Sequence, residues 1–180
     1  MDKYKSLISQ SQQLFHASDL ALLWGIDNQD TLNMTLKRFV DRGILHRIHK
    51  GFYSTVKIDS IDPKDLGFSY LNVYSYISLE TVLVKKGVIF QEIPHITFVS
   101  SKSTTFTIGN MSYKSRQLKD EFLYNTWGVK QIDGHFEANL ERAVADILYY
   151  DPQYHFDNQD IIDFDKVELV QKEVGYVEEQ

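Results

Sequence analysis

The sequence predicts an α+β protein with a small N-terminal part and a larger C-terminal part. Its 180 residues can bury one ordinary core, or two small ones of about 60 and 120 residues. Segments with helical periodicity alternate with paired runs of strand-forming residues. Residues 31–57 contain six Lys/Arg and one Asp/Glu, although the whole chain has a net charge of −6. This imbalance indicates either that one part meets a polyanion or that it is a well-solvated face.

The composition excludes several classes of protein. With 43% hydrophobic and 24% charged residues, the chain is typical of soluble globular proteins. The absence of cysteine excludes disulfides, thiol chemistry and zinc–thiolate sites. No apolar run approaches the roughly 20 residues that cross a bilayer, and the first residues lack the apolar region of a secretory signal. We therefore expect a cytoplasmic protein with no membrane partner.

Three helices are predicted in the N-terminal part. They cover residues 2–14, 19–24 and 29–42, with a connector at 15–17. Ser18 is a good N-cap for the second helix, and Asp27 or Asn28 for the third. Gly25 and Gly43 stop these two helices. On the third helix, helical spacing places four apolar side chains on one buried stripe: Leu32, Leu36, Phe39 and Val40.

A basic hairpin follows the third helix. Ile44–Ile48 and Phe52–Val56 are predicted strands, and His49-Lys50-Gly51 is the turn between them. The second and third helices are joined by the short turn Gly25-Ile26-Asp27, which is the pattern of a helix-turn-helix. A hairpin directly after such a pair is the wing of a winged helix. We therefore predict an N-terminal winged helix-turn-helix domain followed by a mixed α/β C-terminal domain, with 1–57 as the first, 58–66 as a linker and 67–180 as the second.

The outer face of the third helix and the hairpin are the predicted contacts with double-stranded DNA. The helix would enter the major groove, where Asn33 could read adenine and Arg38 guanine through paired hydrogen bonds. The hairpin would lie beside the phosphate backbone, and Thr31 could reach phosphate from the helix N-terminus. The predicted contact residues are Thr31, Asn33, Met34, Lys37, Arg38, Arg47, His49 and Lys50. The alternative is a winged-helix protein-interaction module without a DNA target.

The same residues resemble a known family. The runs LFHASDLALLWGI and TLNMTLKRFVDRGILHRIHKGFYS look like the N-terminal domain of AbiEi-type antitoxins of bacterial type IV toxin–antitoxin systems. The residues that fit the family pattern are Phe39, Gly43, Leu45, Arg47, Ile48, Lys50, Gly51 and Tyr53. The resemblance implies a transcriptional repressor that binds operator DNA of its own operon. It also implies a C-terminal half that counters a nucleotidyltransferase-like toxin.

Two segments of the C-terminal part resemble the same family. YISLETVLVKKGVI has Ser78 as the predicted N-cap of a helix and Gly87 as its stop. NLERAVADILYY resembles a second helix of the family, although the family's proline is absent and arginine replaces its lysine. The predicted strands are His95–Ser100, Thr104–Ile108 and Ser112–Leu118. An acidic tail is expected to form a helix over 165–174 and to end in a disordered segment.

We expect neither an enzyme nor a bound cofactor or metal, because no catalytic constellation is found. The six histidines include no HExxH pair, and no GxSxG, Walker or GxGxxG motif occurs. Glu137, Glu141 and Asp146 lie close in sequence, as the carboxylates of a nuclease metal site do. Their spacing on an amphipathic helix favours a solvated outer face instead. The oligomeric state stays open: a palindromic operator would need two copies, yet no dimerisation helix stands out.

Overall fold

The computed structural model describes residues 2–177, and the chain divides into two compact units, Met1–Leu71 and Asn72–Gln180. The described residues form eight α-helices and two β-sheets, so the predicted α+β class is confirmed. Among these residues, no helix combines the length and the apolar character that a membrane crossing requires.

The first unit is built of helices around a small antiparallel sheet. Its elements are α1 Lys3–Ile8, β1 Leu14–His16, α2 Ala17–Trp24, α3 Gln29–Asp41, β2 His46–His49, β3 Phe52–Ser54 and α4 Pro63–Leu71. Strand β3 lies between β1 and β2 and is antiparallel to both. The predicted second and third helices and both hairpin strands are present, with ends within two residues of the predicted ones.

Local signals set the ends of α2 and α3. Asn28 is the N-cap of α3, because its side-chain oxygen accepts a hydrogen bond from the Thr31 N–H at 2.9 Å. Gly25 has a left-handed φ of 61°, which lets α2 end and the chain turn directly toward α3. The N-cap of α2 is His16 rather than the predicted Ser18, and the His16 N–H donates to Asp19 Oδ2 at 2.8 Å. This hydrogen bond fixes the start of α2 two residues earlier than predicted.

The predicted first helix is wrong beyond Ile8. Asp2 caps α1 by accepting hydrogen bonds from the Tyr4 and Lys5 N–H groups. The helix ends at Ile8 because the next five residues, SQSQQ, offer no apolar side chain to extend its buried face. Leu14–His16 form β1 instead of a helix end and connector, and Phe15 is buried opposite Tyr53 of β3. Phe15 and Tyr53 are 38 positions apart in sequence, so the local hydrophobic pattern around residue 15 cannot predict their pairing.

One apolar core holds the first unit together. Leu32, Leu36 and Phe39 of the predicted stripe are buried on α3, and Val40 is partly buried at its margin. The Phe39 ring lies 4.9 Å from the Trp24 ring, which joins α3 to α2. Because this face of α3 is buried, its opposite face is left at the surface.

The first unit extends beyond the predicted domain end at residue 57. Pro63, which falls within the predicted 58–66 linker, is the first residue of α4, a position that suits proline because no helical N–H is needed there. Leu66 and Leu71 are buried, and the carbonyl of Ser69 lies 2.7 Å from His16 Nε2. The division between units therefore falls after Leu71, because α4 packs with the first unit.

The second unit contains a six-stranded mixed sheet. Its elements are β4 Ser75–Ile77, α5 Glu80–Lys85, β5 His95–Ser100, β6 Thr104–Ile108, β7 Met111–Gln117, α6 Asp120–Leu123, β8 Val129–Ile132, β9 His135–Ala138, α7 Leu140–Tyr150 and α8 Phe164–Val174. The strand order is β6-β7-β5-β4-β9-β8, with parallel pairs β5–β7 and β4–β9. The predicted strands β5 and β6 are confirmed, and β7 begins and ends one residue earlier than predicted.

In the second unit, the predicted N-cap of α5 is wrong and the predicted end of the acidic tail lies partly outside the described residues. The N-cap of α5 is Leu79, with a φ of 57°, rather than Ser78, whose hydroxyl donates to Asp146 instead. The predicted last helix is confirmed as α8, one residue longer at its start. The final residues of the expected disordered end, 178–180, lie outside the described residues.

Candidate nucleic-acid interface

The exposed face of α3 carries five of the predicted contact residues. Thr31, Asn33, Met34, Lys37 and Arg38 are all exposed, because Leu32, Leu36 and Phe39 point into the core. Side chains at these positions can therefore reach a ligand without any change in the fold of the first unit.

A groove joins α3 to the hairpin. It has a volume of about 410 Å³ and is lined by Asn33, Leu36, Lys37, Val40, Arg47 and Tyr53. Arg47 lies directly opposite Tyr53 in the pairing of β2 with β3. The groove brings three predicted contact residues from two elements, Asn33, Lys37 and Arg47, onto one surface.

Asn33 has a neighbour that orients its amide. Gln29 Nε2 donates to Asn33 Oδ1 at 3.1 Å, one helical turn earlier on the same exposed face. The Asn33 oxygen keeps a second lone pair, and its NH₂ group remains able to donate. The pair is therefore compatible with the two-bond contact to adenine that the sequence predicts for Asn33.

Thr31 and Arg38 are engaged within α3. The Thr31 N–H and hydroxyl both donate to Asn28 Oδ1, at 2.9 and 3.1 Å. Thr31 would have to exchange these capping bonds to donate to a phosphate. Arg38 Nε lies 3.4 Å from the Met34 carbonyl oxygen, which lays the side chain along the helix while its terminal nitrogens remain available.

The hairpin presents two of its three predicted contact residues. Arg47 and Lys50 are exposed, and Gly51 takes the φ of 73° that the turn requires. His49 is half-buried, because its ring packs edge-on against Tyr70 of α4 at 5.1 Å. Its Nδ1 is buried and has no hydrogen-bond partner among the described residues. Because His49 packs against α4, its ring is less accessible to a phosphate than the side chains of Arg47 and Lys50.

Four cations of this surface have no salt-bridge partner among the described residues. Across residues 2–177, the salt bridges of the structure involve none of Lys37, Arg38, Arg47 and Lys50. Exposed cations without carboxylate partners favour binding of an anion, and this attraction weakens as salt rises.

A second group of polar residues, which the sequence prediction did not bring together, lies in the second unit. We call it the Asp146 cluster, and it consists of the buried Tyr76, Ser78, Arg142 and Asp146 and the partly buried Tyr176. Asp146 Oδ2 accepts hydrogen bonds from Tyr76 Oη at 3.0 Å and Ser78 Oγ at 2.7 Å. Asp146 Oδ1 accepts from Arg142 Nε at 2.7 Å and from the Tyr176 hydroxyl. Both carboxylate oxygens are therefore saturated by donors.

The Arg142 guanidinium is equally well satisfied. Its Nη1 donates to the carbonyl oxygens of Asn125 and Trp127, at 3.0 and 2.9 Å. Its Nη2 donates to Tyr76 Oη at 2.9 Å and to the Phe122 carbonyl oxygen at 3.2 Å. Burial and the nearby Asp146 carboxylate raise the pKa of the Tyr76 hydroxyl well above its usual value. Tyr76 therefore stays protonated and keeps donating to Asp146.

The solvated helix face predicted for Glu137, Glu141 and Asp146 is wrong for two of them, and Glu137 lies on β9 rather than on α7. Asp146 is fully buried, and Glu137 is buried with its Oε1 at 2.6 Å from Lys85 Nζ. Glu141 alone lies partly at the surface. The spacing of Arg142 and Asp146, four residues apart, was the sequence signal that could have suggested an ion pair. Among the described residues, no group of three or more His, Asp or Glu side chains is arranged to hold a metal ion.

Comparisons of the sequence with known proteins identified no family and no relative. No protein-family model matches the sequence, and a search of curated proteins finds no significant match.

Proposed function

We propose that the first unit is a winged helix-turn-helix that binds double-stranded operator DNA, and that the protein is a transcriptional regulator. In this proposal α2 and α3 form the helix-turn-helix, α3 is the recognition helix, and the β2–β3 hairpin is the wing. The observation that carries the proposal is the groove in which α3 and the hairpin share one surface. An amide able to read a base lies there beside two cations that form no salt bridge within residues 2–177, which complements base edges flanked by phosphates.

A narrower proposal rests on the sequence resemblance alone. In it, the regulator is an AbiEi-type antitoxin that represses its own operon in the cytoplasm. Its C-terminal half counters a cognate nucleotidyltransferase-like toxin. A nucleotidyltransferase reading frame next to the gene, and rescue of cells that express it, are the observations that test this part.

Binding to the chain's own upstream promoter DNA tests the regulator proposal. The affinity is measured over a salt series and compared with that for an unrelated duplex of equal length. Tighter, salt-dependent binding to the promoter is expected, since base contacts add to a phosphate term common to both duplexes. Equal affinity for both duplexes, or binding to neither at low salt, would contradict it.

Replacement of Lys50 by alanine is expected to weaken binding to both duplexes by the same factor, up to about tenfold at low salt. The reason is that an exposed lysine in the turn would contact phosphate, which carries no base information. The slope of log K against log salt is expected to become shallower by about 1. Lys5→Ala, on the exposed side of α1, is the matched control, and an unchanged slope for Lys50→Ala would remove Lys50 from the interface.

Replacement of Asn33 by alanine is expected to relax sequence preference at one base pair, at a cost of about 1–3 kcal/mol of discrimination. Selection from a randomised operator measures the consensus of each variant. Gln29→Ala is expected to show a smaller loss at the same base pair, because Asn33 keeps its amide but loses the bond that orients it. The same consensus for wild type and Asn33→Ala would contradict the base contact.

One observation favours the protein-interaction alternative. Tyr124 and Phe136 of the second unit are 57% and 40% exposed, and their rings lie 5.3 and 5.7 Å from the Tyr74 ring. Adjacent exposed aromatic side chains are typical of protein-contact surfaces. Absence of binding to any duplex at low salt, together with a retained fold, would favour this alternative.

A further inference from the structure

The groove between α3 and the hairpin places two cations around an apolar floor. Lys37 comes from α3 and Arg47 from β2, and both line the groove. Leu36, Val40 and Tyr53 provide the apolar part of the lining. Lys37 and Arg47 are exposed, and neither takes part in a salt bridge of the described structure. Two like charges that share one groove repel each other, and a single anion bound between them attracts both and so offsets that repulsion.

A phosphodiester has the chemistry that fits this arrangement. It carries one negative charge shared between two free oxygens, so a guanidinium and an ammonium can each bind one oxygen. The apolar lining suits the adjacent deoxyribose. A base edge, by contrast, offers no net charge to offset two neighbouring cations. Asn33, which precedes Lys37 by four residues on the same groove, is the uncharged group left to read a base.

We propose that Lys37 and Arg47 together hold a single phosphodiester group of the DNA backbone in this groove. Lys37 then positions the recognition helix along the duplex and does not select a base. This inference rests on the proposed DNA-binding function and deepens it, because it assigns one phosphate to two residues from different elements. It also links the depth at which α3 enters the major groove to the position of the hairpin.

A double-mutant cycle combined with a neutralised phosphate tests the shared contact. Wild type, Lys37→Ala, Arg47→Ala and the double variant are titrated with operator duplexes that each carry one methylphosphonate, scanned along both strands. The proposal expects one position at which neutralisation weakens wild type and has little effect on the double variant. The proposal further expects that the affinity losses of the two single variants do not multiply. The double variant should therefore lose affinity by a factor well below the product of the two single-variant factors.

Three further measurements distinguish a structural effect of the substitutions from an effect on binding. Thermal unfolding of each variant checks the fold, which exposed substitutions are expected to leave unchanged. Lys37→Arg retains the charge and is expected to retain the same sensitive position. Selection from a randomised operator with Lys37→Ala is expected to return the wild-type consensus.

The possible outcomes distinguish failure of the shared phosphate contact from failure of the proposed DNA-binding function. Three results would overturn the shared phosphate contact while DNA binding stands. They are affinity losses of the single variants that multiply in the double variant, different sensitive phosphates for the two single variants, and a new consensus for Lys37→Ala. Failure of wild type to bind either the operator or an unrelated duplex at low salt would overturn the proposed function, and the shared phosphate contact with it.

Discussion

Replacement of Asp146 by alanine is expected to destabilise the second unit by about 3–5 kcal/mol, because it leaves the buried Arg142 guanidinium without its counter-charge. It also removes the acceptor for Tyr76, Ser78 and Tyr176. A loss of this size is a large fraction of the roughly 5–15 kcal/mol that stabilises a domain. Asp146→Asn is expected to be nearly as harmful. Each carboxylate oxygen accepts two hydrogen bonds, so an amide nitrogen at either position would face two donors.

The measurement is urea unfolding, followed by a probe that reports on the second unit. The chain has two tryptophans, Trp24 and Trp127, one in each unit. In a Trp24→Phe background, fluorescence from Trp127 follows the second unit. Its backbone carbonyl accepts a bond from Arg142, so the probe is close to the cluster.

Two further variants complete this experiment. Glu141→Ala, on the same helix but partly at the surface, is expected to cost less than about 1 kcal/mol. Arg142→Met combined with Asp146→Leu is expected to cost less than the sum of the single changes, since neither charge is left unpaired. A cost below 1 kcal/mol for Asp146→Ala would show that the cluster contributes little to stability.

Replacement of Gly128 by alanine is expected to destabilise the second unit by about 2–5 kcal/mol. Gly128 has a left-handed φ of 77°, and a Cβ atom there would lie 2.7 Å from Arg142 Cβ and 3.0 Å from Asn139 Oδ1. The first neighbour belongs to the buried Arg142 side chain, which has no room to retreat. The second is the N-cap oxygen of α7, which accepts from the Arg142 N–H.

Gly134→Ala separates the clash at Gly128 from backbone strain. Gly134 has a φ of 87°, but a Cβ atom there would meet nothing within 4 Å. Its cost is therefore expected to be that of the left-handed conformation alone, about 1–2 kcal/mol. Urea unfolding measured with Trp127 gives both values. Equal costs for the two variants would show that the Arg142 region yields to accommodate a methyl group.

The parts of the fold that could be predicted are those with signals inside their own segment. Helix α3 has an N-cap, an apolar stripe and a glycine stop, and the hairpin after it has a glycine turn, so both are found where expected. Strands β4, β8 and β9 have three or four residues each. Their stability comes from neighbours distant in sequence, as in the parallel contact of Ile77 with Glu137, and short segments of this kind carry no periodicity to detect.

The candidate site was predictable to a similar depth. The exposed face of α3 follows from its buried face, so Asn33, Lys37 and Arg38 are at the surface as predicted. The half-burial of His49 depends on Tyr70, which lies on α4, a helix that spans the end of the predicted linker and the start of the predicted second domain. The Asp146 cluster joins side chains separated by 70 and by 30 positions, and such convergence is a property of the tertiary fold alone.

This convergence has a consequence for the newly made chain. During synthesis, the segment with Tyr76 and later that with Arg142 and Asp146 leave the ribosome while Tyr176 is still to come. Until then Asp146 lacks one of the four donors that its carboxylate has in the folded unit, and α8 cannot yet pack against α7. The first unit ends at Leu71 and can fold as soon as it emerges, since domains fold in the order in which they are made. A nascent protein would thus complete its proposed DNA-binding unit well before the other unit is finished.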